Sequence, residues 1–257
     1  MSALALPAAA QASERPGVVH PNDSLGNTKF SDAVINGGKA IVLGTTAKKS
    51  VTVTYTASNE SGITLTEAFL WQGTDSSNTD DITGSLGTDD NPSCTESTTD
   101  IGVYSCKAVF NIDPAADLKD NGVAGTWKLF LGAWDLYANA GYDDNVATAS
   151  IKKLSKLTAN ATPEPVKKGK TITVAGKLTR ANWETGKYPG YGSQSAKLQF
   201  RKKGSSTYTT LKTVRAGSTG ALKSTTKATV DGYYRYVFAG TATTAASTAP
   251  GDFVDVK

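Results

Sequence analysis

Carboxylates carry the most suggestive chemistry in this 257-residue sequence. Asp75, Asp80, Asp81, Asp89 and Asp90 crowd the polar segment 73–93, and Asp113, Asp117 and Asp120 precede the turn at Gly125. Oxygen ligands on flexible, Gly-containing loops are what Ca²⁺ accepts, about six to eight per ion. These eight residues are therefore the candidate metal ligands. The run from Asp75 to Gly84 is not an EF-hand loop, because the terminal Glu is absent and the spacing differs. Asp135, Asp143 and Asp144, near Glu60, form an alternative acidic group. Solvated acidic loops that aid solubility are the competing explanation.

Aromatic residues suggest a second chemistry. Trp183, Tyr188 and Tyr191 lie in the segment 181–195, among Gly186, Pro189, Gly190 and Gly192. Exposed rings stack on sugars, and Asn182, Glu184 and Gln194 could add hydrogen bonds. The same rings could instead pack between domains and hide apolar surface. A third group is basic: Lys167, Lys168, Lys170, Lys177, Arg201, Lys202, Lys203, Lys212, Lys223 and Lys227. It suits an anionic polymer, a solvated face, or docking against the acidic half. No aromatic RNA-binding motif interleaves it, so nucleic acid is not the expected partner.

Catalytic groups are scarce. His20 is the single histidine and adjoins Pro21. There is no Gly-x-Ser-x-Gly, no histidine-based zinc motif and no phosphate loop. The paired acids Asp80-Asp81 and Asp143-Asp144 are adjacent, where successive side chains diverge. The chain is therefore read as a non-enzyme, with a hydrolase as the minor alternative. Cys94 and Cys106 are the only cysteines and enclose 11 residues, which suits a disulfide-closed hairpin in an oxidising compartment.

Extended chain must position these groups. Thr, Val, Tyr and Gly are plentiful, and no stretch keeps a helical period. Strands are expected at Lys39–Leu43, Ser50–Ala57, Leu65–Trp71, Val103–Ile112, Gly125–Trp134 and Val146–Ile151. In the second half they are expected at Lys170–Leu178, Ala196–Arg201, Tyr208–Val214, Ala221–Val230, Gly232–Ala239 and Phe253–Val256. Phe69 and Trp71 are expected on the core face of their strand, Pro114–Lys119 as one helical turn, and 73–93 as a loop. Gly125-Thr126-Trp127-Lys128-Leu129-Phe130-Leu131 aligns with Gly232-Tyr233-Tyr234-Arg235-Tyr236-Val237-Phe238. Each has a turn glycine, an aromatic, a base and alternating apolar residues, as an internal repeat would. The fold class is all-β, with two tandem immunoglobulin-like β-sandwiches.

Ile151–Pro165 marks the joint. Through Lys156 the chain has 18 acidic against 11 basic residues, net −7; from Leu157 it has 5 against 16, net +11. The expected domains are an acidic sandwich at 33–153 and a basic one at 154–257. The acidic loops of the first and the aromatic loop of the second are expected to face the joint. Residues 1–12 fit the tail of a secretory signal peptide, with Ala10-Gln11-Ala12 as a small-residue cleavage site, and 13–32 fit a flexible leader.

Several motifs carry a resemblance. Ala161-Thr162-Pro163-Glu164-Pro165-Val166-Lys167-Lys168-Gly169-Lys170-Thr171-Ile172-Thr173-Val174, Lys197 to Gly204 and Asp231-Gly232-Tyr233-Tyr234-Arg235-Tyr236 resemble the bacterial immunoglobulin-like modules of secreted actinobacterial proteins. The first half is similar to a partner domain of small secreted streptomycete proteins, some loosely described as calcium-binding. The resemblance implies fold and compartment, and Ca²⁺ as an optional ion. The expected protein is a secreted module that contacts an envelope glycan or anionic polymer. The alternative is a protein–protein partner, such as an inhibitor or a subunit of a secreted assembly.

Overall fold

Alternating β-branched, aromatic and polar residues favour a pleated, half-buried chain. The structure is a computed structural model that describes residues 27–257, and it is built almost wholly of strands. The first nine are β1 (Lys29–Ile35), β2 (Ile41–Leu43), β3 (Lys49–Ser58), β4 (Leu65–Gly73), β5 (Ile82–Gly87), β6 (Ser93–Glu96), β7 (Val103–Ile112), β8 (Gly125–Trp134) and β9 (Ala140–Lys153). They form two sheets, ordered β1-β3-β7-β6 and β2-β9-β8-β4-β5. The second nine are β10 (Ser155–Leu157), β11 (Asn160–Thr162), β12 (Thr171–Arg180), β13 (Ser195–Lys202), β14 (Thr209–Arg215), β15 (Ala221–Lys227), β16 (Gly232–Phe238), β17 (Ser247–Thr248) and β18 (Asp252–Val254). Here β10, β11 and β15 all pair with β12, while the other sheet runs β14-β13-β16 with β17 and β18 beside β16. A short helix, α1 (Pro114–Asp117), caps the turn after β7.

These strand orders are those of immunoglobulin-like sandwiches in tandem. Each copy ends in a parallel pairing back to its beginning: β2 runs parallel to β9, with Ile41 opposite Ile151, and Val166 bridges in parallel to Val256. The repeat seen in the sequence falls on equivalent strands. β8 and β16 are each central in their sheets. Trp127, Leu129 and Leu131 on one, and Tyr234, Tyr236 and Phe238 on the other, are the buried alternate residues.

Compactness divides the chain differently from the expected domains. One unit comprises the described part of Met1–Ala33 with Thr54–Ala108 and Lys128–Val146. The other comprises Val34–Val53, Val109–Trp127 and Ala147–Lys257. Residues 151–165 lie within the second unit.

In the first unit β4 is buried on both faces. Leu70 faces the same side as Leu129, its partner across the sheet. Phe69, Trp71 and Phe130 form a separate cluster on the opposite side, with Phe69 and Phe130 stacked at 4.2 Å. Phe69 and Trp71 are thus buried on an inner strand, as expected, whereas Leu65 at the start of the strand is exposed. The Cys94–Cys106 disulfide joins directly opposite residues of β6 and β7. In the second unit the core of the basic sandwich holds Ile172, Val174, Leu178, Leu198, Tyr234 and Tyr236.

Several boundaries differ from expectation: β9 begins at Ala140 rather than Val146, and β15 ends at Lys227 rather than Val230. The segment 73–93 is not all loop: β5 pairs with β4, Leu86 opposite Leu70. Its two apolar residues, Ile82 and Leu86, are too few to show a period, and the pairing supplies the strand. The leader gives way to β1 at Lys29 rather than after 32. Phe30 meets Tyr55 edge-on at 6.2 Å, and Thr28 Oγ1 accepts a bond from Asn59 Nδ2 at 2.9 Å. The signal segment, His20 and the rest of the leader lie outside the described residues.

Burial also sets an alkaline limit. Tyr236 is fully buried and donates its hydroxyl proton to Val174 O at 2.9 Å. Burial pushes its pKa, and that of Tyr55, up to about 12 from 10. A raised folded-state pKa gives stability that is complete below the unfolded value and lost above it. Stability is therefore expected to fall between pH 10 and 12. A shift of this size is worth up to about 2–3 kcal/mol per tyrosine. Denaturant titrations across that range check it, and Tyr236→Phe should reduce the slope; a flat profile would refute the assignment.

Candidate functional site

The outer side of the β14-β13-β16-β18 sheet is where cations and rings converge. Strand alternation sends Leu198 to the core and sends Gln199 and Arg201 outward; on β16 it sends Tyr234 and Tyr236 in and Tyr233 and Arg235 out. Register places Gln199 opposite Arg235 and Arg201 opposite Tyr233, and Phe253 of β18 lies opposite Tyr233 on its other side. Tyr208, just before β14, reaches across this face: a Cβ added at Gly251 would collide with its hydroxyl and lie 3.2 Å from the Tyr233 Cβ.

The contacts are close. Arg235 Cζ lies 3.6 Å from the centre of the Tyr208 ring, and Arg201 Cζ lies 5.2 Å from the same ring and 4.2 Å from that of Tyr233. Tyr233 and Phe253 meet at 5.2 Å, and Lys203 Nζ sits 5.4 Å over Phe253. All four of the residues Arg201, Tyr208, Tyr233 and Arg235 are half-buried. Guanidinium groups stack on aromatic faces and stay charged, so the lattice holds fixed positive charge at the surface. Of the acids on these turns, Asp231 is occupied. It accepts from Val256 N and pairs with Lys203 at 3.4 Å, and that backbone bond holds its carboxyl below the usual range.

The expected aromatic site is built differently. Trp183 is 4% exposed; its Nε1 donates to Gly44 O at 2.9 Å, and its backbone N donates to Asn121 Oδ1 at 3.1 Å. Asn121 also donates through Nδ2 to Asn182 Oδ1 and through its backbone N to Glu184 Oε1. Lys153, itself buried, lies 5.4 Å over the Trp183 ring, and burial lowers its pKa. Tyr188 lies beneath Lys156 at 3.6 Å, with its hydroxyl against Gly44. Tyr191 lies beneath Arg180 at 4.1 Å. Lys153 and Lys156 thus lie over two rings of this loop. Its rings are spent on packing within the second unit, the alternative that competed with sugar stacking.

The carboxylates serve as local caps. Asp75 accepts from Ser77 N and Oγ, which holds its carboxyl below the usual range. Asp80 and Asp81 lie in a single 3-10 turn capped by Asn78, which also donates to Asp81. Asp89 and Asp90 are exposed in the turn after β5. Asp113 caps α1 and pairs with Lys48 at 3.2 Å; Asp117 accepts from Asp113 N, and Asp120 from Gly122 N. In the alternative group Asp135 closes its turn onto Tyr137 and Asn139, Asp143 accepts from Asn145 N, and Asp144 from Ser76. Among the described residues no three His, Cys, Asp or Glu side chains are placed to hold a metal ion.

The sequence reading named Arg201 and Lys203 but missed Arg235, Tyr208, Tyr233 and Phe253. The signal was available on β16, where outward Tyr233 and Arg235 alternate with inward Tyr234 and Tyr236. The other named lysines are exposed and dispersed, with Lys177, Lys223 and Lys227 on the opposite sheet.

No protein-family profile and no curated protein matches the chain. Solved structures resemble it loosely. The fibronectin(III)-like modules of Clostridium thermocellum CbhA superpose with a TM-score of 0.35 at 14% identity, over 88% of this chain and 94% of theirs. The Yersinia pseudotuberculosis adhesin InvE gives 0.28 at 13% identity, over 89% of this chain and 58% of its own. Three N-terminal domains of the bacteriophage RB49 outer capsid protein Hoc give 0.32 at 10%, over 90% and 71%. The fold assignment rests on the strand orders given above.

Proposed function

We propose that this protein is a secreted, non-enzymatic binding module whose basic sandwich contacts a glycan or anionic polymer of the cell envelope. The observation that carries the reading is the lattice of Arg201, Arg235 and Lys203 with Tyr208, Tyr233 and Phe253 on one sheet face. A disulfide that closes an exposed hairpin suits an oxidising compartment. Among the described residues no helix is long and apolar enough to cross a membrane. The acidic loops contribute solubility in this reading, and no ion is needed.

A second reading, a protein partner, is favoured by one feature of the first unit. Ile101, Leu136 and Tyr137 are 89%, 70% and 76% exposed on turns. Both turns adjoin the segment 59–62: Leu136 lies against Gly62, and Gly102 against the Asn59 backbone. Exposed apolar side chains grouped this way mark contact surfaces.

One experiment addresses both. Full-length protein is mixed with purified cell walls over a salt series, and in parallel with concentrated culture fluid. Sedimentation with walls that weakens as salt rises supports the first reading. Equal recovery without walls would sink it. Capture of a stoichiometric protein, lost in Leu136→Asp, would favour the second.

A further inference from the structure

We infer that the ligand of this face is a repeating oxyanion, gripped end-on by Arg201 and Arg235, and that the rings hold the guanidinium groups rather than stack on sugar. The inference rests on the proposed envelope-binding role and narrows its ligand from glycan in general to acidic polymer.

The first argument is what the ring faces already hold. Tyr208 is shared by both guanidinium groups, and Tyr233 is shared by Arg201 and Phe253. A neutral sugar would have to displace a cation to stack there. The second argument is the remaining donors. Arg235 spends Nε on Gln199 Oε1 at 3.0 Å. Its two terminal nitrogens have no protein acceptor among the described residues. Arg201 spends one terminal nitrogen on Ser205 O and keeps the rest of its fork. A planar fork with two parallel N–H groups matches two oxygens of a carboxylate or phosphate.

The third argument is charge. Neither guanidinium has a carboxylate within ion-pair reach among the described residues, whereas Lys203 does. Asp252 is turned to Ala161 N, and Asp255 pairs with Lys257. Two uncompensated, oriented cations on neighbouring strands would meet successive anionic groups of an extended polymer. Carboxylate and phosphodiester share this chemistry.

The test is binding of the full chain to polygalacturonate, to poly(glycerol phosphate) and to neutral dextran, over a salt series. Wild type is expected to bind one or both polyanions and not dextran; the polyanion that binds identifies the anionic group. Arg235→Lys and Arg201→Lys keep the charge but lose the fork. Each is expected to weaken binding about 10-fold with the salt slope unchanged, because lysine keeps the charge and loses one of the two parallel N–H···O bonds. Tyr208→Leu, which frees both groups, should weaken it comparably. Lys223→Gln on β15 should leave it unchanged. Unaltered melting temperatures show that the variants fold. Polyanion binding insensitive to the Lys variants, or equal binding of dextran, would overturn the inference while the envelope role stands. Failure to bind these polymers and cell walls alike would overturn both.

Discussion

Trp183→Ala is expected to destabilise the protein by about 3–5 kcal/mol, the range for deleting a buried tryptophan. Three losses combine. The ring is almost wholly enclosed, so a cavity replaces it. The Gly44 carbonyl loses the indole N–H. Lys153 loses the aromatic face above which it is buried, and a buried cation without a partner is costly. Trp183→Phe keeps most of the apolar area and gives up the indole N–H, so it should cost only about 1–2 kcal/mol. Guanidinium chloride titrations of both variants check the ratio. Limited proteolysis should show faster cleavage near 181–190 in the alanine variant. A loss under about 1 kcal/mol for alanine would mean that the loop does not hold the joint.

Gly232→Ala is expected to cost about 3 kcal/mol, at the upper end for overpacking. A Cβ there would fall inside the Phe200 ring and against the Arg201 carbonyl. The carbonyl belongs to the neighbouring strand, and Gly232 is paired on both sides, to Lys202 and Val254. Backbone held from two edges has little room to move. The substitution should also weaken polymer binding, because Tyr233 and Arg235 follow on the same strand. Thermal and denaturant unfolding measure the first effect. An unchanged melting temperature would contradict the close approach.

The equivalent residue of the first sandwich, Gly125, is needed for another reason. Its φ is 149°, in the range that favours glycine. One sequence repeat therefore conceals two physical causes, backbone angle in one copy and space in the other. Val103–Ile112 was legible from burial at period two, and Gly125–Trp134 from a continuous apolar run that is buried on both faces. Such patterns failed at Ile82–Gly87, where only two apolar residues speak and pairing decides. The carboxylates were legible as residue types. Their use was not, since an Asx cap and a metal ligand draw on the same side chain. Trp183 was legible as a large ring in a Gly- and Pro-rich loop, and its contacts with Lys153 and Gly44 were not. The face with Arg235 needed register, because Tyr208 and Gly251, which meet over it, are far apart in sequence.

The parallel return of the chain has a mechanical consequence. Val166 N donates to Asp255 O, Lys257 N to Val166 O, and Lys168 N to Lys257 O. Tension applied at the two ends of the basic sandwich pulls these strands in opposite directions along their length. The three bonds are then loaded together in shear instead of opening one after another. A module that grips a polymer with one sheet face while its ends are under load would resist detachment and unravelling alike.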